Sequence, residues 1–153
     1  HKLNAKVVLR CLKCQSIWKP LINNFMKKDL NCPNCHLYKL ETEIKKLLDN
    51  NHIDYIKNDR KLLKGLELDF YIPQYNVAIE CQGIQHFKMH SFGSKKPKEE
   101  LNIMFQQLQE RDKKKKEMCN DLGIKLLYYS DLNIEYPYFV YTDIEQLMQE
   151  VLK

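Results

Sequence analysis

Alanine appears only at positions 5 and 78, and the 153 residues include just four glycines and five prolines. So little Gly and Pro excludes a collagen-like or low-complexity chain, and a hydrophobic content of 44% argues against disorder. No apolar run approaches the roughly 18 to 20 residues that a membrane span requires. The opening HKLNAKVVLRC lacks the apolar core and small-residue cleavage site of a secretion signal. These absences predict a soluble, intracellular protein with no membrane partner, resident in the cytoplasm or in the nucleoid or nucleus of a host. His1 in place of an initiating Met leaves room for further domains of a longer parent chain. The length suits one ordinary domain with a small appendage and excludes two large domains. Twelve Asn, twelve Ile and Lys at 22 of the 25 basic positions complete a bias expected of AT-rich coding, such as phage, viral or AT-rich microbial genes carry.

Acidic residues are nearly missing from the first forty positions, where eight Lys/Arg face Asp29 alone, a balance of +7. Residues 41 to 153 hold seventeen basic and nineteen acidic residues, a balance of −2. All the basic excess is N-terminal. Solubility is one reading of it; a polyanion-docking module on a near-neutral body is the other, with nucleic acid as the first partner.

Four of the six cysteines form two knuckles, Cys11/Cys14 and Cys32/Cys35, separated by seventeen residues. A C-x₂-C pair brings two thiolates to one ion through a tight turn, and two pairs at this separation complete a tetrahedral Cys₄ zinc site. Disulfides are the poorer reading in a chain without a secretion signal. His36 could replace one thiolate, though Cys35 has the better spacing. A closed Cys₄ site is structural, so residues 1–38 are expected to form a small Zn²⁺ module of zinc-ribbon or treble-clef type, too small to fold without metal. Ile17, Trp18, Leu21, Ile22 and Phe25 offer its apolar face.

Residues 39–153 form the body. The run 40–51 places Ile44, Leu47 and Leu48 at helical spacing and carries Glu43. A strand is expected near Ile53–Ile56. Leu66–Ile72 and Val77–Gln82 alternate as two strands joined by the turn 73–76, so that Glu80 and Gln82 share a face. Residues 84–98 read as an aperiodic loop. Residues 99–122 read as a long helix whose buried stripe is Leu101, Met104, Phe105, Leu108, Cys119 and Leu122, with Asp112 and Lys115 on the same stripe where apolar residues would be expected. Gly123 ends that helix, Ile124–Tyr129 is a buried strand, and Thr142 to Glu145 is a capping box for a last helix. The order predicts an α/β fold, a mixed sheet flanked by helices.

Acidic residues are disfavoured inside strands, yet Asp69 and Glu80 sit on adjacent antiparallel strands. Paired carboxylates at a sheet edge suit a hard divalent ion, Mg²⁺ or Mn²⁺, which would polarise a phosphodiester oxygen and acidify an attacking water. The plainer alternative is two solvated strand residues.

The stretch LELDFYIPQYNVAIECQGIQHF at 66–87, followed by Arg111, Asp112 and Lys113 to Lys115, and by Gly123 to Leu127, resembles the PD-(D/E)xK, restriction-endonuclease-like nuclease superfamily. It is similar to the branch that holds very-short-patch repair endonucleases and phage or viral homing endonucleases, which often carry a zinc module. The resemblance covers residues 40 to 130. It implies that Asp69 and Glu80 bind the metal with the Cys81 carbonyl as a further ligand, and that Glu43 reaches the same ion, often through water. The sequence departs from the signature at Gln82, where Lys is usual, although some active members have Gln. Lys115 could return the missing cation, and His86 could orient water or protonate the leaving oxygen. Each has a structural alternative: Glu43 as a first-turn acid, His86 as a loop tether, Asp112 and Lys115 as an ion pair. The expected function is a Mg²⁺- or Mn²⁺-dependent DNA endonuclease, homing or nicking, with catalytic residues Glu43, Asp69, Glu80, Gln82, His86, Asp112 and Lys115. The alternatives are a zinc-dependent nucleic-acid-binding protein on a degenerate nuclease fold, and an RNA-directed nuclease.

Overall fold

Alternation in two short strands organises the N-terminal part of the chain. Strands β1 (Leu9–Arg10) and β2 (Ile17–Trp18) pair antiparallel, with Leu9 opposite Trp18 and Arg10 opposite Ile17. Hydrogen bonds from Val7 to Pro20 and from Ile22 to Ala5 extend the hairpin. Val7, Leu9, Cys11, Trp18, Pro20 and Ile22 are buried or half-buried, whereas Lys6, Val8, Arg10, Ile17, Lys19 and Leu21 are exposed. Ile17 and Leu21 therefore leave the expected apolar face. They are a strand's outward residues, and period 2 replaces the looser grouping read from the sequence.

The computed structural model describes residues 5–12, 15–22, 32, 39–89, 96–133 and 135–153. Cys14, Phe25, Cys35 and His36 lie outside the described residues. The chain divides into two units, His1–Thr42 and Glu43–Lys153.

The larger unit is mixed α/β. Helix α1 (Lys39–Asn50) brings Ile44 and Leu48 to the core. Strands β3 (Ile56–Leu63), β4 (Leu66–Ile72) and β5 (Val77–Cys81) form an antiparallel meander, and β6 (Lys125–Tyr129) and β7 (Val140–Tyr141) add parallel to β5 in the order β3-β4-β5-β6-β7. Between β5 and β6 lie the short helix α2 (Ile84–Phe87) and the long helix α3 (Lys98–Asp121); α4 (Ile144–Val151) closes the chain.

The strand expected at Ile53–Ile56 starts where that expectation ends and runs to Leu63. Its sequence, IKNDRKLL, hides the strand because β3 is an edge, mostly exposed and charged, as edges that resist aggregation are. The β3–β4 link is a two-residue turn, Lys64-Gly65, with φ of 49° and 107°. Positive φ at both positions is what the favoured hairpin turns require. Asn76, at φ 51°, ends the β4–β5 turn, and its side-chain amide donates to Gly123 O at 2.9 Å, tying that turn to the end of α3.

Strand β5 is buried from Val77 to Glu80, as expected of a central strand covered on both faces. Ala78, Leu126 and Tyr128 pack with Cys119 and Met118 of α3 on one face. Tyr129 and Lys125, of opposite parity to Tyr128, meet Glu43 of α1 and Glu150 of α4 on the other. The stripe of α3 needs one correction: Met104 and Leu122 are exposed, while Asp112 and Cys119 are its fully buried residues. The cap of α4 is also shifted. Asp143, not Thr142, is the N-cap, and its carboxylate accepts from the amides of Glu145 and Gln146.

Candidate active site

The ladder between β4 and β5 pairs Ile72 with Val77, Tyr71 with Ala78 and Phe70 with Ile79. Beyond Phe70 the two backbones turn to side chains. The Asp69 amide donates to Glu80 Oε1 at 3.1 Å, and the Cys81 amide donates to Asp69 Oδ2 at 2.8 Å. Each carboxylate thus serves an amide of the opposite strand, which satisfies the donors freed where the ladder ends.

Glu80 is 3% exposed in an otherwise apolar strand. Burial pushes its carboxyl up to about 8, and the Asp69 charge adds to this; Lys115 and the Asp69 amide act against it. Lys115 Nζ of α3 forms an ion pair with Glu80 Oε2, both side chains being largely buried. The helix therefore delivers a cation to the strand that carries Glu80 and Gln82. Asp112 and Lys115 do not pair with each other.

Gln82 is fully buried, and neither its Nε2 nor its Oε1 has a hydrogen-bond partner. Its backbone continues the parallel ladder, with N–H donating to Tyr129 O at 2.7 Å, so the side chain lies on the Glu80 side of the strand. Uncommitted polar atoms in such a place are costly, and they give the site an oxygen and a donor for a ligand. Ser130 Oγ donates to Gln82 O at 2.7 Å and accepts from Leu132 N, which fixes the end of this strand.

His86, in α2 just after β5, places Nδ1 2.8 Å from Asp112 Oδ2, and Tyr136 donates to the same oxygen at 2.8 Å. His86 and Asp112 are 14% and 7% exposed in their side chains. Glu43 accepts from the Tyr129 hydroxyl at 3.0 Å, and burial, then Glu43, raises that phenol's pKa. The structure thus joins Asp69, Glu80 and Lys115 directly, joins His86 to Asp112, and engages Glu43 with Tyr129. Tyr129, Ser130 and Tyr136 went unread in the sequence. The available signal was the density of tyrosine at 128, 129, 136 and 138, because buried Tyr hydroxyls seek partners.

Among the described residues no group of three or more His, Cys, Asp or Glu forms a metal cage. The Asp69/Glu80 pair with the unpartnered Gln82 amide is an all-oxygen donor set, which fits Mg²⁺ or Mn²⁺ better than a softer metal. In the smaller unit the Cys11 amide donates to Ser16 O at 2.9 Å, the Gln15 amide donates to Cys11 O at 3.0 Å, and Gln15 has φ 61°. Cys11 and Cys32 are buried, and Ser16 Oγ lies 3.2 Å from Cys32 Sγ, which brings Cys32 beside the residue that precedes β2.

No protein-family model matches the sequence. The chain is similar to an uncharacterized protein, 094L, of Frog virus 3 (isolate Goorha), at 39% identity over 89 residues, 58% of this chain and 50% of that protein. It is also similar to an uncharacterized protein, 307L, of Invertebrate iridescent virus 6, at 29% identity over 100 residues, 61% of this chain and 47% of that protein. The chain thus matches about half the length of these curated relatives. No helix among the described residues is long and apolar enough to cross a membrane.

Proposed function

We propose that the chain is a metal-dependent DNA endonuclease that hydrolyses phosphodiester bonds, with a restriction-endonuclease-like core in residues 39–153 and a Zn²⁺-stabilised Cys₄ module in residues 1–38. The observation that carries this reading is the Asp69/Glu80 pair at the end of the β4–β5 ladder, where a central strand accepts the cost of a buried carboxylate. Ligand chemistry gives that cost a purpose beyond the Asp69 amide and the Lys115 cation that Glu80 already meets.

Asp69 and Glu80 would hold Mg²⁺ or Mn²⁺, with the Cys81 carbonyl as the further ligand the family resemblance implies. When bound, the ion supplies Lewis acidity to a phosphodiester oxygen and lowers the pKa of an attacking water. Lys115 balances the carboxylate charge and offers a cation to the phosphate. Asp112 orients His86, which moves a proton at Nε2. The buried Gln82 amide offers its uncommitted atoms to the ion or to a water beside it, and Glu43, held by Tyr129 on the other face of the sheet, would reach the ion only around the strand ends, through water. DNA is the partner that suits the exposed cations Lys6, Arg10 and Lys19 of the N-terminal hairpin.

A second reading is a nucleic-acid-binding protein on a degenerate nuclease fold. It is favoured by Gln82 and by the way backbone amides and Lys115 already satisfy the carboxylates. Incubating the chain with supercoiled DNA, and with matched RNA, in Mg²⁺, Mn²⁺ or chelator separates the readings. Divalent-dependent nicking of DNA that Asp69→Ala abolishes supports the nuclease. Tight binding without nicking supports the second reading, and preferential RNA cleavage assigns a ribonuclease.

A further inference from the structure

Tyr136 belongs to no strand or helix, yet its ring is held edge-on by Phe87 at 5.3 Å, by Tyr128 at 5.6 Å and by Tyr138 at 5.6 Å. Its hydroxyl and His86 Nδ1 both meet Asp112 Oδ2, each at 2.8 Å. An ionised carboxylate only accepts hydrogen bonds, so neutral His86 carries its proton on Nδ1 and leaves Nε2 as the base. Two donors on one oxygen share its charge. We propose that Tyr136 is a positioning residue for His86, acting through the Asp112 carboxylate. Its hydroxyl holds Oδ2 in place while the ring stack fixes the hydroxyl, and the shared oxygen binds the imidazolium less strongly than it would alone.

Burial, followed by the Asp112 charge, raises the Tyr136 phenol's pKa, so it stays a donor throughout the working pH range. The ionisable groups around it are Asp112 from α3, Tyr128 from β6 and Tyr138 from its own segment; Glu80, Cys119 and Glu117 act on the same cluster through Tyr128 and Tyr138. The role in cleavage rests on the nuclease reading, whereas the effect on His86 does not.

The test is Tyr136→Phe, which keeps the ring contacts and removes only the hydroxyl. NMR titration of the His86 ring in the full, zinc-loaded chain, without Mg²⁺, Mn²⁺ or DNA, should show its pKa rising by about half a unit to one unit. Asp112→Asn should lower it. The acidic limb of the cleavage pH profile should move upward with Tyr136→Phe by the same amount. A His86 titration that is unmoved or lowered in Tyr136→Phe overturns the proposal, whatever cleavage does. The expected titration shift in a protein that cleaves no nucleic acid upholds Tyr136 as the positioning residue and removes the nuclease reading instead.

Discussion

Lys115 of α3 reaches Glu80 of β5 and forms an ion pair with the carboxylate in the buried run Val77–Glu80. Removing one partner of such a pair strands the other in low dielectric, which typically costs about 3 to 5 kcal/mol. Above about pH 8, where Glu80 is ionised, Lys115→Ala should therefore destabilise the fold measurably, and it should slow cleavage by roughly a hundredfold. Lys114→Ala, at an exposed position one residue away, should leave both within about twofold. Equal effects of the two would remove Lys115 from the site.

Replacing Asp69 by Asn or Glu80 by Gln keeps the volume and removes a carboxylate charge. Divalent-dependent nicking should fall by about three orders of magnitude or more, while DNA binding stays level or tightens as repulsion from phosphate disappears. Gel-shift and nicking measurements on the same preparations check both halves. Loss of binding along with nicking would mean that the carboxylates serve the fold alone.

The Glu80 carboxyl is raised by burial from 4.5 to about 8. For an acid raised on folding, the stabilising contribution is complete below the unfolded value of 4.5 and is lost as pH climbs through 8. Glu80→Gln does not ionise, so in metal-free buffer it should gain stability over the natural chain by roughly 2 kcal/mol or more between about pH 5 and about pH 8.5. Urea unfolding of the two proteins at each pH reads this difference. A constant difference would show that Glu80 ionises as readily in the fold as in water.

Purified protein should hold about one equivalent of Zn²⁺, bound by Cys11, Cys14, Cys32 and Cys35. Cys32→Ser should lose it and melt the N-terminal unit, while residues 43–153 keep their far-ultraviolet circular dichroism and thermal transition. Metal analysis and calorimetry decide the matter, and a metal-free chain with an intact N-terminal unit would rule zinc out.

Asp143 caps α4 through two amides. Asp143→Ala should cost about 1 kcal/mol and Thr142→Ala only a few tenths. Chemical denaturation of the two variants checks this; the reverse order would return the cap to Thr142.

Much of the larger unit was legible from local chemistry. Alternation in 66–72 and 77–82 gave two strands and put Glu80 and Gln82 on one side, while the polar positions Asp112 and Lys115 on an apolar stripe marked the face of α3 that turns to the sheet. The left-handed Gly123 ended that helix. These signals are readable because strand and helix periods follow from backbone geometry within a few residues. Edge strand β3 was not legible: an exposed strand takes its stability from its neighbour and carries no hydrophobic period of its own. Pairing of side chains across the fold was equally hidden. Period places Lys115 inward, but only the packing of α3 on β5 gives it Glu80 as partner and leaves Asp112 to His86 and Tyr136. Which amides the Asp69 and Glu80 carboxylates serve depends on where the β4–β5 ladder stops. Local sequence thus determined the elements and the inward faces; three-dimensional packing decided the partners, because a buried charge is satisfied by whichever distant group the fold brings within reach.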